Sequence, residues 1–222
     1  MNPIIGDLIL ERGNDVMQYI GIKNANDSII QKIQTGKRWC IDEKRGLRRM
    51  IFLDTCIWIE LLGVRTPVKS HEIQQAKAAS ELLGNIIANN QTIVTCKEQL
   101  IELVSAIEKV MMKSVSKERK SKQLSGVGNL KDFRKLQEFQ NTKRLCETVI
   151  HDVHHFATLQ NIGNYEIEPL IQRLDLADIN DCLYYDYCLK EHIEFYTFDS
   201  DLEKIDRNKK VHCYNAEKNI WT

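Results

Sequence analysis

Acidic residues end, or closely follow, apolar segments at separate places in the chain. Asp54 ends the segment IFLD, and Asp199 ends the segment FYTFD. Glu102 lies one to two turns into the helical segment after TIVT, while Asp178 and Asp181 lie at the start of the helical segment INDCLYYDYCLK. The carboxyl ends of parallel strands meet at one edge of a sheet, which is where functional sites of such sheets lie. These sequence-distant carboxylates are therefore predicted to gather in one site.

Carboxylates that lie close together repel one another unless a cation neutralises them or they take up protons. Ligation by oxygen atoms alone suits Mg²⁺ or Mn²⁺ and does not suit zinc. Such an ion activates a water molecule and stabilises the charge that develops on a phosphate during its transfer. The pattern of acids therefore predicts a metal-dependent site for phosphate chemistry.

Each acid also has a purely structural interpretation. Asp54 could start a turn, Asp181 could cap a helix, and Asp199 could cap the segment SDLEKI. Any one of these acids alone would favour that interpretation. What favours a metal site is the coincidence of four such acids at predicted strand and helix ends.

The segments that must position these acids alternate between strand and helix from Met50 onward. The strand patterns are IFLD, TIVT, EFYTF and VHCYN, and helical patterns lie between them. Residues 116–130 are predicted to form a basic loop, and residues 131–160 are predicted to form one long helix or two. The alternation predicts an α/β fold with a parallel sheet covered by helices on both faces.

Charge is distributed unevenly along a chain whose formal net charge is zero. Residues 109–144 contain eleven Lys and Arg and three acids, a net charge of +8. Residues 145–206 contain fourteen acids and three bases, a net charge of −11. A nuclease needs a basic track for phosphates and an acidic pocket for a metal ion. Solvated helix faces would produce the same pattern.

Four pieces of the sequence, taken together, resemble the PIN domain, a metal-dependent ribonuclease fold of many toxin–antitoxin toxins and RNA-processing enzymes. The pieces are IFLDTCIWIELL, TIVTCKEQLIELVSAI, DINDCLYYDYCLK and FYTFDSDL, and the resemblance spans residues 50–213. No piece is specific alone, but their order matches that of the family. The resemblance implies a PIN-like parallel sheet flanked by helices, and hydrolysis of RNA phosphodiester bonds by metal-activated water.

The resemblance also implies roles for individual residues. The family's four acids fall on Asp54, Glu102, Asp181 and Asp199, which would be catalytic. These four, together with Asp178, would bind Mg²⁺ or Mn²⁺. Glu98 lies one turn before Glu102 and is an alternative for the second acid, although the IELV context favours Glu102. The auxiliary residues beside the acids would be Thr55, Thr197 and Asp201.

The segment at residues 108–160 is longer than a compact PIN domain needs, and it holds most of the positive charge. It is predicted to be a basic helical insertion. It could carry RNA phosphates as a clamp, or it could be an exposed hairpin with solvated lysines. The candidate RNA-binding residues are Lys117, Arg119, Lys120, Lys122 and Arg134.

Three histidines, His151, His154 and His155, lie on a predicted helix within the same segment. His151 and His155 are four residues apart and share a face, so they could hold a transition metal. Surface histidines and an RNA-facing patch are the alternatives.

Residues 1–49 lie outside the resemblance. Short alternating segments separated by turn signals predict a small β-rich appendage here, loosely similar to SH3-like barrels. The polar, basic segment DEKRGLRR at residues 42–49 is the predicted boundary. The predicted domains are therefore the appendage at 1–49 and a PIN-like nuclease domain at 50–222. The appendage could recognise RNA, a partner protein or the catalytic domain.

Composition is that of an ordinary globular protein, with 43% hydrophobic and 28% charged residues. No apolar run is long enough to cross a membrane, and the first residues do not resemble a signal peptide. The seven cysteines are scattered without a C-x-x-C pair, which predicts reduced thiols and a cytoplasmic location. Neither a phosphate-binding glycine loop nor a serine hydrolase motif is present.

The combined prediction is a metal-dependent endoribonuclease that acts as a toxin or defence effector. RNA is the expected substrate, and DNA is less favoured. An antitoxin or regulatory protein and a second copy of the chain are expected partners on the resemblance alone. Two alternatives remain open: a non-catalytic PIN scaffold that binds RNA or protein, and a structure-specific DNA nuclease.

Overall fold

The computed structural model of the chain describes residues 49–206 and 209–222. Its strands are β1 (Met50–Leu53), β2 (Thr92–Cys96), β3 (Ala157–Gln160), β4 (Glu194–Thr197), β5 (Val211–Asn215) and β6 (Ile220–Trp221). They form one sheet in the order β3-β2-β1-β4-β5-β6. All neighbouring pairs are parallel except β5 and β6, which are antiparallel. The predicted parallel α/β sheet is thus confirmed.

Helices connect the parallel strands and cover the sheet. They are α1 (Thr55–Leu61), α2 (Ser70–Ala88), α3 (Lys97–Ser121), α4 (Leu130–Phe133), α5 (Phe139–Phe156), α6 (Glu168–Ile171) and α7 (Ile179–Lys190). A 3₁₀ helix at Ser200–Lys204 follows β4.

The two faces of the sheet bury two separate hydrophobic clusters. Successive side chains of a strand point to opposite faces, so Phe52 of β1 packs in one cluster, and Ile51 and Leu53 pack in the other. The Phe52 cluster contains the buried face of α7, and the second cluster contains residues of α1, α2, α3 and α5. Strand β1 is apolar along its whole length because both of its faces are covered.

The strand order places a crevice between the carboxyl ends of β1 and β4. From β1 the chain runs outward through β2 and β3 on one side, and it then returns to pair β4 with the other side of β1. Ligands bind in open α/β sheets where the chain direction switches in this way. Helix α7 precedes the parallel strand β4, so its amino terminus lies at the same edge.

The segment at residues 108–160 differs from the sequence-based expectation at two places. Residues 116–121 were expected in a basic loop but continue α3, since Lys, Arg and Glu favour helix and the first glycine comes later, at Gly126. Residues 157–160 were expected at the end of a helix but form β3. Their backbone pairs with β2 from Ile93 to Cys96, a long-range contact that outweighs local preference.

Several sequence-based predictions concern the chain outside the described residues. These are the β-rich appendage at residues 1–48, the boundary segment that ends at residue 49, and Cys40. Within the described residues, all six other cysteines are free thiols. No helix in that part of the chain is long and apolar enough to span a membrane.

Candidate active site

Six carboxylates line one pocket at the carboxyl edge of the sheet, and five of them are the acids singled out by the sequence. Asp54 follows β1, and Asp199 follows β4. Glu102 lies in the second turn of α3, while Asp178 precedes α7 and Asp181 lies in its first turn. The pocket has a volume of about 310 Å³ and is lined by Asp54, Thr55, Cys56, Ile59, Glu60, Arg65, Glu102, Ala106, Asp178, Asp181 and Asp199.

The Asp54 carboxylate is buried and accepts three hydrogen bonds. Oδ1 accepts from the Thr55 backbone N–H at 2.5 Å. Oδ2 accepts from Thr197 Oγ1 at 2.5 Å and from Cys56 Sγ at 3.0 Å. Burial raises the pKa of Asp54, and these hydrogen bonds oppose that effect because they favour the charged form. The carboxylate is therefore fixed in one orientation at the end of β1.

Two threonines lie against the acids at this edge. Thr197 is buried in β4, donates to Asp54, and accepts a hydrogen bond from the Asp199 N–H at 2.9 Å. It thus connects the acids that follow β1 and β4. Thr55 lines the pocket, and its buried hydroxyl lies close enough to the Glu102 carboxylate to favour the charged form of that acid.

The Glu102 carboxylate is held from α7. Tyr184 donates its hydroxyl hydrogen to Glu102 Oε2 at 2.7 Å. Burial, together with the charges of Asp54 and Asp178, raises the pKa of Glu102 to about 7, although the Tyr184 bond opposes the shift. Glu98, the alternative acid, lies one turn earlier in α3 and is not among the residues that line the pocket.

The amino terminus of α7 supplies two acids with different surroundings. Asp178 is the N-cap, and its Oδ1 accepts from the N–H groups of Asn180 and Asp181 at 3.0 and 3.1 Å. Asp181 is buried. Burial raises its pKa to about 9, and the charges of the other pocket acids, led by Asp54, contribute to that shift. In the absence of a cation, Asp181 therefore holds a proton at neutral pH.

The acid that follows β4 caps the 3₁₀ helix. Asp199 Oδ1 accepts from the Asp201 N–H at 2.8 Å. Asp201, predicted as an auxiliary residue, forms an ion pair with Lys204 at 2.6 Å and does not line the pocket. Of these two neighbouring acids, only Asp199 faces the other carboxylates.

A family-model comparison gives this site its context. The model that matches is the PIN domain, and the match covers residues 51–208, more than half of the chain. The chain belongs to the PIN domain family. The predicted resemblance is thus confirmed for this part of the chain. Neither the curated proteins nor the solved structures compared with the chain gave a significant match.

PIN domains are generally nucleases that use divalent metal ions, usually Mg²⁺ or Mn²⁺. The donors in this PIN pocket suit such ions, since they are carboxylate oxygens with the buried Thr55 hydroxyl beside them. In residues 49–206 and 209–222, however, no three His, Cys, Asp or Glu side chains are grouped as a metal site. The Asp54 carboxylate accepts hydrogen bonds from Thr197 and Cys56. The carboxylates would therefore have to move closer together to bind an ion.

Sequence reasoning missed four residues of this PIN site. Cys56, Glu60 and Arg65 line the pocket. Gln99 is fully buried behind it, accepts from Thr95 Oγ1 at 2.8 Å, and donates to the Leu53 carbonyl at 2.7 Å. The position of Gln99 in the first turn after β2 was the available signal, because its Leu53 partner lies on another strand, β1.

Replacing Gln99 with Met is expected to destabilise the PIN fold and to slow its reaction. The change leaves the Leu53 carbonyl and the Thr95 hydroxyl without a buried partner, at a cost of about 1–3 kcal/mol. The melting temperature should fall by several degrees, since about 1 kcal/mol corresponds to about 2–4 °C at this size. The exposed Gln140 on α5 provides the matched control, Gln140→Met. Equal melting temperatures for the two variants would contradict this role of Gln99.

The predicted RNA-binding residues lie on α3, α4 and the turns after them. Three of the five are ion-paired. Arg134 contacts Glu108 through two hydrogen bonds of 2.9 and 2.6 Å, Arg119 pairs with Glu138, and Lys122 pairs with Glu118. Lys117 and Lys120 are exposed and make no ion pair with any described residue. Of the five residues, these two lysines would therefore attract a phosphate most readily, because their charge is not already paired with a described acid.

The three histidines lie in the last turns of α5. All are exposed, and the rings of His151 and His155 are 4.4 Å apart between centroids. Asp152 Oδ1 lies 3.7 Å from His151 Nδ1. No third metal-binding side chain joins them in the described part of the chain.

Proposed function

We propose that this PIN protein is a Mg²⁺- or Mn²⁺-dependent endoribonuclease that hydrolyses RNA phosphodiester bonds. Asp54, Glu102, Asp181 and Asp199 would be its catalytic acids, and Asp178 would assist them in metal binding. The observation that carries the proposal is the convergence of these five carboxylates on one pocket of a PIN fold.

The electrostatics of the pocket favour the binding of a cation. Asp181 and Glu102 have raised pKa values partly because their neighbours are also carboxylates. A bound cation stabilises such a cluster because it allows all of the carboxylates to ionise. When bound, a divalent ion would activate water and neutralise charge on the phosphate.

The chain's own residues would orient the reacting groups. Thr197 and Cys56 hold Asp54, and Tyr184 holds Glu102 on the opposite side of the pocket. Ile59 and Ala106 line the pocket beside the acids and would limit the water around the phosphate.

The proposal is tested by incubating the purified full chain with total RNA, or with a single-stranded DNA of matched sequence. Each substrate is tested with Mn²⁺, with Mg²⁺ and with EDTA. We expect discrete RNA fragments with either ion, and no cleavage with EDTA. The DNA should be cut more slowly or not at all, because contacts to the 2′-hydroxyl distinguish the two substrates.

The other outcomes point to the alternative functions. Preferred cleavage of DNA would replace the RNA assignment with a DNA nuclease. RNA binding that is equal with metal and with EDTA, together with no cleavage, would indicate a non-catalytic scaffold. Cleavage that persists in EDTA would contradict the metal requirement.

We extend the proposal to a toxin or defence role, with an antitoxin-like protein or a second copy of the chain as a partner. The role is supported by the PIN domain family to which the chain belongs, since that fold is found in many toxin–antitoxin toxins. Induced expression in a bacterial host should arrest growth, and expression of the Asp54→Asn variant should not. Equal growth of the two strains would contradict the toxin role and leave the nuclease assay unaffected.

A further inference from the structure

Among the described residues that line the acidic pocket, Arg65 has the only basic side chain. The other charged side chains in that lining are carboxylates, and they repel a phosphodiester that enters the pocket. A cation at the rim of the pocket can offset this repulsion independently of a bound metal ion. Arg65 is placed to supply that charge.

The end of α1 fixes the position of Arg65. The Gly63 N–H donates to the Glu60 carbonyl at 3.3 Å, and the Val64 N–H donates to the Ile59 carbonyl at 3.1 Å. These two bonds form a Schellman motif, which requires the left-handed conformation that Gly63 adopts at φ +59°. Val64 is buried, so the next residue turns back over the last turn of α1.

Glu60 then orients the Arg65 guanidinium. Nε donates to Glu60 Oε1 at 2.6 Å, and Nη2 also contacts this oxygen. Glu60 is 92% buried (8% exposed), and its Oε2 has no hydrogen-bond partner among the described residues. The Glu60 side chain faces the pocket with Arg65 as its only ion-pair partner in the described part of the chain.

The other terminal nitrogen of Arg65 keeps hydrogen-bonding capacity for a ligand. Nη1 forms an ion pair with Glu72 Oε1 at 3.8 Å, which is too long for a hydrogen bond. It donates no hydrogen bond to any described residue, and the Arg65 side chain is 36% exposed. Guanidinium groups bind phosphate oxygens in a fixed plane, and Glu60 already sets the orientation of that plane.

We propose that Arg65 binds a non-bridging phosphate oxygen of the nucleic acid through Nη1, and that Glu60 is the residue that positions it. The inference rests on the proposed nuclease function. It adds a substrate contact that does not depend on the metal ion. Arg65 would therefore contribute to substrate affinity more than to the rate of the bound complex.

The experiment measures binding of a fluorescein-labelled single-stranded RNA in EDTA, by anisotropy, at a series of salt concentrations. Arg65→Ala should weaken binding about tenfold, as expected for loss of a charged hydrogen bond. The slope of log affinity against log salt should fall by about 0.7, the value for one phosphate contact on a single strand. In the cleavage assay, KM should rise about tenfold while kcat changes little.

Arg173 provides the matched control. It forms a two-bond ion pair with Asp186 at 2.8 and 2.5 Å and does not line the pocket. Arg173→Ala should therefore bind RNA with the wild-type affinity and salt slope. An unchanged affinity and slope for Arg65→Ala, or equal losses in both variants, would overturn the proposal.

A second variant separates substrate binding from stability. Arg65→Ala alone leaves the buried Glu60 carboxylate without its partner, which destabilises folded proteins. The double variant Arg65→Ala with Glu60→Met removes that unpaired charge. We expect its melting temperature to recover while the RNA affinity stays low. Recovery of both would show that Arg65 acts only through the ion pair.

The two proposals fail in different ways. If wild-type protein binds RNA but does not cleave it in any metal, the nuclease function is rejected. The binding measurement in EDTA then still tests the Arg65 contact. If wild-type protein cleaves RNA and Arg65→Ala shows unchanged binding and KM, only the Arg65 contact is rejected.

Discussion

The Asp54→Asn variant should cleave RNA on the order of 10³-fold more slowly than the wild type. Asp54 is proposed as a metal ligand, and the loss of such a ligand removes several kcal/mol of transition-state stabilisation. Asp54 accepts hydrogen bonds from Thr55, Cys56 and Thr197, which fix its carboxylate at the end of β1. The asparagine side chain keeps the shape of aspartate and one of its two oxygens, but it carries no charge. The measurement is the initial rate of RNA cleavage at saturating Mn²⁺.

Thermal unfolding of the same variant shows whether the loss is chemical. Asn still accepts hydrogen bonds through its side-chain oxygen, and the substitution removes a buried negative charge from a cluster of acids. The melting temperature should therefore not fall by more than a few degrees. Asp175→Asn, at an exposed acid outside the pocket, should keep the wild-type rate. A wild-type rate for Asp54→Asn would reject the proposed site.

The Asp181→Asn variant should be more stable than the wild type above neutral pH and should also lose cleavage activity. The pKa of Asp181 is raised to about 9, mainly by burial and then by the neighbouring carboxylates. The folded protein thus binds this proton more tightly than the unfolded chain, where the pKa is about 3.9. In the absence of metal, the unfolded chain ionises Asp181 at neutral pH while the folded protein keeps it protonated, and this difference disfavours the folded state.

The sign of the pH dependence follows from this difference. Between the unfolded and the folded pKa, the folded state holds more protons, so the free energy of unfolding decreases as pH rises. Asp181 lowers the free energy of unfolding as the pH rises from about 4 to about 9. Glu102 adds to this decrease up to about pH 7. Wild-type protein in EDTA should melt at a lower temperature near pH 8 than near pH 5. Asp181→Asn should show a weaker decrease.

Metal addition provides the complementary measurement. A divalent cation binds the ionised carboxylates, so Mg²⁺ or Mn²⁺ should raise the wild-type melting temperature more near pH 8 than near pH 5. The increase should be smaller in Asp181→Asn. A wild-type melting temperature that rises with pH in EDTA, or that does not respond to either ion, would contradict this account of the pocket.

Local sequence patterns were sufficient to predict the parallel sheet and the acids that follow its strands. The segment IFLD combines a short apolar run with a terminal acid, and the same holds for FYTFD. A strand buried on both faces must be apolar along its length, and its carboxyl end must lie at one edge. Asp54 and Asp199 could therefore be placed at that edge before any contact was known.

The tertiary structure decided which side chains face the acids and hold them. ATLQ became β3 only because its backbone pairs with β2, and Gln99 became a site residue only because β1 presents the Leu53 carbonyl to it. The Thr197 bond to Asp54 spans 143 residues of sequence. Arg65 was not singled out, because a single arginine after a helix has no distinctive local pattern.

The physical reason for this division lies in the range of the interactions. Strand and helix patterns reflect burial and backbone preference, which depend on neighbouring residues and are visible in a short window of sequence. Hydrogen bonds, ion pairs and pKa shifts depend on distances of a few ångströms between groups that are far apart in the chain. The sequence by itself determined the α/β sheet and the acids at its edge. The packing of α1, α3 and α7 determined how those acids are held, and the turn after α1 placed Arg65 beside them.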